Sequence, residues 1–218
     1  PMDVLRTGCS LMGSLEPETE DNNIVVIGSK LANRFCSILM YWHHYVESST
    51  RIETETGEET VAGHFLHLLH GKEPDETFRR ALDVSLIIYA EHDFNSSTYA
   101  ARIAGSTLSD IYSCMTSAIG TLRGPLHGGA NAKVMTTLEK FEDPDQAETS
   151  VIDMIANKVR LTGFGQRAYA TADPRNAINR KWAKDLSDAA GDTALYDIAE
   201  RVESVMWREK KMFANLDY

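Results

Sequence analysis

The sequence predicts an all-α fold. Apolar residues recur at the three- and four-residue spacing of helices over most of the 218 residues. An Asp or Asn stands where a helix cap is wanted at four places, namely Asp75, Asn95, Asp143 and Asp173. Strand signals are nearly absent. The short apolar run 24–27 could form a strand or could lead into the helix expected over residues 30–45.

The first two capped segments lie in the middle of the chain. Asp75 is expected to cap a helix with apolar positions Phe78, Leu82, Leu86 and Tyr89. Asn95 is expected to start one long helical segment with apolar positions Tyr99, Ile103, Ile111, Met115 and Ala118. Both patterns predict one apolar face on each helix.

The second half carries two Asp-Pro helix starts. In Asp143-Pro144-Asp145-Gln146 a capping acid is followed by Pro at the first helical position and by Gln three residues after the cap. The apolar positions that follow are Val151, Ile152, Ile155 and Val159. Asp173-Pro174 repeats this signal, and Gly191 is expected to end that helix. Its apolar positions are Ile178, Trp182 and Leu186, and those of the last helix are Leu195, Ile198, Val202, Val205 and Met206.

Composition and charge narrow the class of protein. Hydrophobic content of 43% and charged content of 25% are typical of a water-soluble globular protein, and the longest apolar runs, such as 84–90, are too short to span a bilayer. A net charge of −10 argues against nucleic acid as a partner. Cys9, Cys36 and Cys114 show no metal spacing, so we expect reduced core thiols and a cytoplasmic location.

A glycine-rich loop divides two helical blocks. The stretch 123–131, Arg-Gly-Pro-Leu-His-Gly-Gly-Ala-Asn, predicts a boundary between domains 1–126 and 127–218. Glycines let a ligand approach the backbone, and His127 in such a loop could exchange a proton near neutral pH. The alternative is a hinge with an incidental surface His.

Two further loops could bind carboxylates. In 91–97 His92 precedes a helix start, where exposed N–H groups attract anions. The alternative is a capping loop with a satisfied His. In 163–167, Gly-Phe-Gly-Gln-Arg, a glycine pair forms a loop, and Arg175 falls in the first turn of the next helix. Arg175 could grip a carboxylate with two hydrogen bonds, or it could be an ordinary surface Arg.

A histidine cluster in the sequence resembles a metal site, but its spacing argues otherwise. His64 and His70 would lie about 120° apart around a helix, with apolar residues between them. We therefore predict a packed helix here and no metal site. His43 and His44 are expected to be core or interface residues.

The three loops, in this order, resemble the citrate synthase family, most closely its bacterial-type 2-methylcitrate synthases. The resemblance rests chiefly on 124–131, Gly-Pro-Leu-His-Gly-Gly-Ala-Asn, and on 91–98, Glu-His-Asp-Phe-Asn-Ser-Ser-Thr. The stretches 1–7, 41–45, 64–71 and 210–217 also match. The likeness runs from end to end, and the chain looks like an internal fragment of such a protein.

The resemblance implies an all-α homodimer of large and small domains with an active site in the cleft between them. This chain would hold part of the large domain in 1–126 and most of the small, CoA-side domain in 127–218. The implied reaction condenses propionyl-CoA or acetyl-CoA with oxaloacetate, giving 2-methylcitrate or citrate plus CoA. The CoA thioester is a substrate, and neither a tightly bound cofactor nor a metal is implied.

The resemblance also implies roles for single residues. His127 would hydrogen-bond the thioester oxygen, and Ser97 would orient it. His92 would contact oxaloacetate with Asn95 beside it, and Arg175 would clamp one of its carboxylates. The residues implied to lie against CoA are Gly163, Phe164, Gly165 and Arg167.

Two departures from the family pattern bear on activity. The family has His where this chain has Gln166, whose amide donates only a neutral hydrogen bond; losing such a group typically costs on the order of 10²–10³ in rate. The family's general base, an Asp, lies downstream of the stretch 215–217, so none is assigned here. We therefore expect little activity from the chain by itself. The alternative function is a catalytically inactive relative that binds CoA or a partner.

Overall fold

The computed structural model describes residues 1–218, and its regular secondary structure is helical, as the sequence predicts. Ten α-helices follow one another: α1 (Met2–Leu15), α2 (Ile24–Ser48), α3 (Val61–His70), α4 (Glu76–Tyr89), α5 (Ser96–Gly105), α6 (Ile111–Leu122), α7 (Ala130–Leu138), α8 (Pro144–Ala156), α9 (Pro174–Ala190) and α10 (Ala194–Lys210). The one β-type contact is an isolated antiparallel bridge between Phe164 and Ala214.

The chain folds as two compact units, Pro1–Gly128 and Gly129–Tyr218. The first contains α1–α6 and the second contains α7–α10. The sequence placed a boundary between residues 126 and 127, whereas the contacts divide after Gly128. His127 therefore belongs to the first unit. Its backbone N–H donates to Gly124 O, which holds its turn to that unit.

The helix starts at the four predicted caps are confirmed. The side chains of Asp75, Asn95, Asp143 and Asp173 each accept a hydrogen bond from a backbone N–H in the first turn of α4, α5, α8 and α9. Such a bond satisfies a donor that the helix itself cannot. Gly191 ends α9 in a left-handed conformation with φ of 69°, also as predicted.

One prediction about helix extent needs correction. The single segment from Asn95 to Ala118 is two helices, because Leu108 has φ of 60° and the Asp110 side chain caps a new helix by accepting from Ser113 N at 3.0 Å. Of the two possibilities for the run 24–27, the structure has the second, since these residues form the first turn of α2. α1 was not predicted, since Pro1 at its start makes no side-chain cap bond that the sequence could signal.

The predicted apolar faces of α4 and α9 are largely uncovered in this chain. Phe78, Leu86 and Tyr89 are each about two-fifths exposed or more, and Ala81 is the one buried residue of α4. α9 contains no buried residue at all. The other predicted positions, Leu82, Trp182 and Leu186, are half-buried, so the chain covers these faces only in part.

Each unit has its own core. That of the first unit consists of Leu5, Cys9, Ile27, Leu31, Tyr112 and Ile119. That of the second consists of Val134, Leu138, Phe141, Ala147, Val151, Phe164, Ile198, Val202, Val205, Met206 and Ala214. Full burial of a Val or Leu side chain contributes about 1.5–3 kcal/mol, and α10 supplies more of this core than any other helix.

α2 has the length and composition of a membrane-crossing helix. Uninterrupted apolar runs in the sequence do not indicate this. Core helices of water-soluble proteins share these properties. Lys30 and Arg34 lie within α2 and form ion pairs with Glu16, at 3.3 and 2.7 Å. Charged residues of this kind are costly inside a bilayer. That the protein does not enter a membrane stays a prediction.

Candidate active site

The loop that carries His127 is a tight turn in which Gly128 has no room for a side chain. His127 N and Gly128 N both donate to Gly124 O, at 2.9 and 3.1 Å. A Cβ at Gly128 would overlap Leu122 O, so a side chain there is impossible without moving the backbone. Gly129, at φ of 79°, then starts α7. The glycines therefore fix where His127 sits.

His127 is held by a residue thirty positions earlier in the sequence. The Ser97 N–H donates to His127 Nε2 at 3.2 Å, and Ser97 Oγ lies 3.0 Å from the same nitrogen. Because a backbone N–H only donates, Nε2 carries the lone pair, and the neutral ring carries its proton on Nδ1. A half-buried imidazole with a fixed Nε2 leaves Nδ1–H as the donor for a ligand. This arrangement disfavours the reading of His127 as an incidental residue in a hinge.

Asn95 supports the same serine. Its Oδ1 accepts from Thr98 N at 3.0 Å and from Ser97 Oγ at 2.8 Å. The side-chain oxygen is therefore committed to the helix cap, and only the amide nitrogen of Asn95 can donate to a substrate. The single proton of the Ser97 hydroxyl has two acceptors, Asn95 Oδ1 and His127 Nε2.

The loop before α5 uses part of its predicted anion corner for its own hydrogen bonds. His92 is half-buried in this loop, and Asp93 N donates to Glu91 Oε1 at 2.8 Å. The first-turn N–H groups of Ser97 and Thr98 are already bonded to His127 and Asn95. Those two donors are therefore not available to an anion, and binding of an anion here stays a prediction.

The histidines of α3 bond within the first unit. His64 lies between Ser37 Oγ and Thr56 Oγ1, at 3.0 and 2.8 Å, and burial lowers its pKa. His67 Nδ1 lies 3.0 Å from Glu58 Oε1. Each imidazole is therefore placed to link α3 to the stretch 56–58 by a hydrogen bond.

In the second unit, the loop 163–167 is fastened to the C-terminal segment. Gly165 N donates to Phe213 O at 2.8 Å, Asn215 N donates to Gly163 O at 2.9 Å, and Asn215 Nδ2 donates to Gly165 O at 2.9 Å. The Phe164 side chain lies in the core, and its ring centroid is 4.5 Å from that of Tyr218. Any contact of this loop with CoA would therefore fall to Gly165 and Arg167 rather than to the Phe164 ring.

Gln166 has one polar group engaged and one remaining. Its Oε1 accepts from Arg167 N at 2.8 Å. The side chain is half-buried, and its amide nitrogen is the donor left for a ligand. The position can therefore supply a neutral hydrogen bond, as the sequence predicts, and no proton.

Arg175 is held by a buried carboxylate that the sequence showed only as a helix cap. Asp173 is 2% exposed and is the one buried charged residue of the chain. Its Oδ1 accepts from Arg175 Nε at 2.9 Å and its Oδ2 accepts from Arg175 Nη2 at 2.7 Å, while Leu216 N also donates to Oδ2 at 3.1 Å. Burial alone would raise the pKa of Asp173, but these hydrogen bonds outweigh it and hold that pKa below its usual value.

The structure thus joins some of the predicted residues and leaves others in separate units. Asn95, Ser97 and His127 form one bonded group in the first unit, and His92 lies in the same loop as Asn95. Gln166 and Arg175 belong to the second unit. Asp173 was missed as a site residue, although an acid two residues before Arg175 was a visible signal.

Comparison with known proteins gives one consistent result. The family model for the citrate synthase C-terminal domain matches residues 1–218. A 2-methylcitrate synthase of Shewanella oneidensis is 45% identical over all of the chain, and a citrate synthase of Deinococcus radiodurans is 37% identical over all of it. The chain spans 58% and 59% of the length of these two relatives.

Solved structures agree with the sequence comparison. The chain matches a citrate synthase of Thermoplasma acidophilum, solved as a ternary complex with carboxymethyl coenzyme A and oxaloacetate, with a TM-score of 0.87 at 29% identity. The match covers all of this chain and 58% of that one. A citrate synthase of Thermotoga maritima matches 99% of the chain with a TM-score of 0.77 at 30% identity.

Proposed function

Since the chain belongs to the citrate synthase family, we propose that its protein is an acyltransferase that condenses an acyl-CoA with oxaloacetate and releases CoA. The observation that carries the proposal is the fixed imidazole of His127, whose Nε2 is bonded to Ser97, so that Nδ1–H is left to donate to a ligand. A donor held in this way can stabilise the oxyanion that develops when a thioester becomes its enolate.

The proposed reaction has three steps, and His127 acts in the first of them. A base takes a proton from the α-carbon of the acyl group, and His127 Nδ1–H donates to the thioester oxygen as it gains negative charge. The α-carbon then attacks the ketone carbon of oxaloacetate, forming a C–C bond as the C=O π pair moves to the ketone oxygen. The resulting alkoxide takes up a proton, which balances the one removed from the α-carbon. Water cleaves the thioester, which releases the tricarboxylic acid and the CoA thiol. The base is assigned to no residue of 1–218.

Oxaloacetate is expected to meet neutral and charged donors. Arg175 would hold one of its carboxylates, with His92 and the amide nitrogen of Asn95 donating to other oxygens. The Gln166 amide would hydrogen-bond the ketone oxygen as that oxygen becomes an alkoxide. Because the net charge is −10, these local donors must attract a dianion without help from the field of the whole chain.

Propionyl-CoA is the proposed acyl donor, with acetyl-CoA as the alternative. The support is the higher identity to a 2-methylcitrate synthase, 45% against 37% for a citrate synthase. The two donors differ by one methylene, which is worth about 1–3 kcal/mol in a fitted pocket. Relative rates of CoA release with the two thioesters will decide between them, and a faster rate with acetyl-CoA would reverse the assignment.

A homodimer is the proposed assembly. Leu11 and Leu15 on α1 and Ile24 and Val25 on α2 are more than half exposed, and clustered exposed apolar residues mark association surfaces. Light scattering on the full product of the gene will give its mass, and a monomer at micromolar concentration would contradict this part of the proposal.

A second function is favoured by Gln166 alone. With a neutral amide where the family has His, the protein could bind CoA or a partner without turnover.

The test compares wild type with Gln166→His in the full product of the gene, measuring free CoA released in the presence of oxaloacetate. We expect slow release from wild type and a rate on the order of 10²–10³ higher from the variant. Gln146→His, at the exposed start of α8, is the matched control and should leave the rate unchanged. Release from neither form would favour the binding function.

A further inference from the structure

We propose that Asp173 is a positioning residue, which fixes the guanidinium of Arg175 so that one defined edge meets a substrate carboxylate. This inference rests on the proposed function and adds a residue to it. It begins with burial: Asp173 is the one buried charged residue of the chain, and its side chain is entirely covered. A buried charge is retained only where it is fully paired, so its partners indicate its purpose.

Four donors satisfy the carboxylate, and three of them come from Arg175. The backbone N–H of Arg175 donates to Oδ1 at 3.1 Å, which caps α9, and Nε and Nη2 complete a bidentate pair. An ordinary N-cap needs only the first of these bonds. The other two orient a guanidinium whose side chain is 15% exposed.

The geometry determines which edge remains for a ligand. A guanidinium presents its N–H groups in a planar fork, and Asp173 occupies the edge formed by Nε and Nη2. A second carboxylate can therefore bind only along the edge formed by Nη1 and Nη2. The Tyr169 ring, 5.9 Å from the guanidinium carbon, flanks its face. With the side chain immobilised in advance, less rotamer entropy is lost when the substrate binds.

The fourth donor connects Asp173 to the loop of Gln166. Leu216 N donates to Oδ2 at 3.1 Å, and the neighbouring Asn215 is bonded to Gly163 and Gly165. Asn176 of α9 also donates from Nδ2 to Asn215 O at 2.9 Å. The buried carboxylate thus sets Arg175 relative to the Gln166 loop, which a cap alone would not do.

The test is a double-mutant cycle read by calorimetric binding of oxaloacetate to the full product of the gene. Asp173→Asn keeps an acceptor for the helix cap but replaces the second oxygen with a donor, so it breaks the bidentate pair. We expect its dissociation constant to rise about 10- to 100-fold. In an Arg175→Gln background the same change should add little, because Asp173 acts through Arg175. Asp173→Ser, which also caps well, is the second variant should Asp173→Asn fold poorly.

The matched control is Asp143→Asn, at the other Asp-Pro helix start. Asp143 caps α8 through Asp145 N and Gln146 N but is exposed and makes no ion pair. It should leave the dissociation constant of oxaloacetate unchanged. An equal weakening by Asp173→Asn in both Arg175 backgrounds, or wild-type affinity in Asp173→Asn, would overturn the proposal.

A ligand-free readout separates this inference from the proposed function. The Arg175 Nε–H, bonded to a buried oxygen, should give a slowly exchanging ¹⁵N NMR signal in wild type that Asp173→Asn loses. Failure of wild type to bind oxaloacetate would contradict the proposed function, and the NMR signal would then decide the role of Asp173 by itself. A signal unchanged in Asp173→Asn would show that Asp173 does not hold Arg175.

Discussion

Ser97 contacts the imidazole of His127 through both its backbone N–H and its hydroxyl, at 3.2 and 3.0 Å from Nε2. The two contacts come from one residue at the start of α5 and reach a turn just after α6. Together they set the ring's orientation and its tautomer. Four predictions follow from this contact and from other named contacts of the two units.

Removal of the Ser97 hydroxyl should slow the reaction while sparing the fold. Ser97→Ala keeps the backbone N–H on Nε2 but loses the hydroxyl, and a lost hydrogen bond worth about 1–1.5 kcal/mol corresponds to a decrease in kcat on the order of tenfold. The measurement is steady-state kcat alongside the thermal midpoint. Ser96→Ala, on the exposed neighbouring residue, is the control and should match wild type. A kcat for Ser97→Ala equal to that of Ser96→Ala would contradict the orienting role.

A methyl group at Gly128 should disrupt the turn that carries His127. Because the new Cβ would overlap Leu122 O, we expect Gly128→Ala to destabilise the first unit by about 1–3 kcal/mol and to abolish most activity. Gly28→Ala is the contrasting variant, since its Cβ meets no atom within 4 Å inside α2. That change should stabilise by about 0.5–1 kcal/mol. Urea unfolding measures both, and equal stability of the two variants would disprove the predicted clash.

The stabilising effect of Asp173 should depend on pH with a definite sign. Its folded pKa lies below the unfolded value of about 3.9, so its contribution is complete above that value. The contribution is lost as the pH falls through the lowered folded pKa. We therefore expect the difference in unfolding free energy between wild type and Asp173→Asn to be largest at neutral pH and to shrink below about pH 4. Urea titrations from pH 7 to pH 3 test this, and a pH-independent difference would show that the carboxylate charge is irrelevant.

The half-buried phenol of Tyr218 should contribute modestly to the stability of the second unit. Its hydroxyl donates to Ala199 O of α10 at 2.7 Å, and burial raises the pKa of that phenol, so the group stays neutral over the working range. Tyr218→Phe should cost about 1 kcal/mol, since the ring packing against Phe164 remains. Tyr196→Phe, which loses an exposed bond to Glu200, should cost less. A larger loss at Tyr196 than at Tyr218, measured by thermal unfolding, would refute this ranking.

The sequence was most informative where a structure is decided locally. The caps at Asp75, Asn95, Asp143 and Asp173 each depend on a side chain bonding an N–H two or three residues away, which sequence spacing displays. The break between α5 and α6 was not predicted, because the helical spacing of apolar residues continues across it. α1 was not predicted, because no side chain caps its start.

The site was less predictable, because its contacts join distant parts of the chain. The family likeness pointed to Ser97 and His127, but no local pattern shows that Asn95 Oδ1 accepts a hydrogen bond from the Ser97 hydroxyl. Asp173 looked like one more cap beside Asp143, with the same Asp-Pro sequence. What distinguishes it is burial under Leu216, 43 residues later. Burial of that kind depends on tertiary packing, which no short window of sequence contains.

The fastening of the Gln166 loop to residues 213–215 has a mechanical consequence. The loop and the terminal segment should move together, because hydrogen bonds link them in both directions. These bonds join Gly163 and Gly165 to Phe213 and Asn215. Any movement that displaces Gln166 would therefore also displace the segment 213–217. Substitutions there, which touch no proposed substrate group, should therefore alter the rate of the proposed reaction.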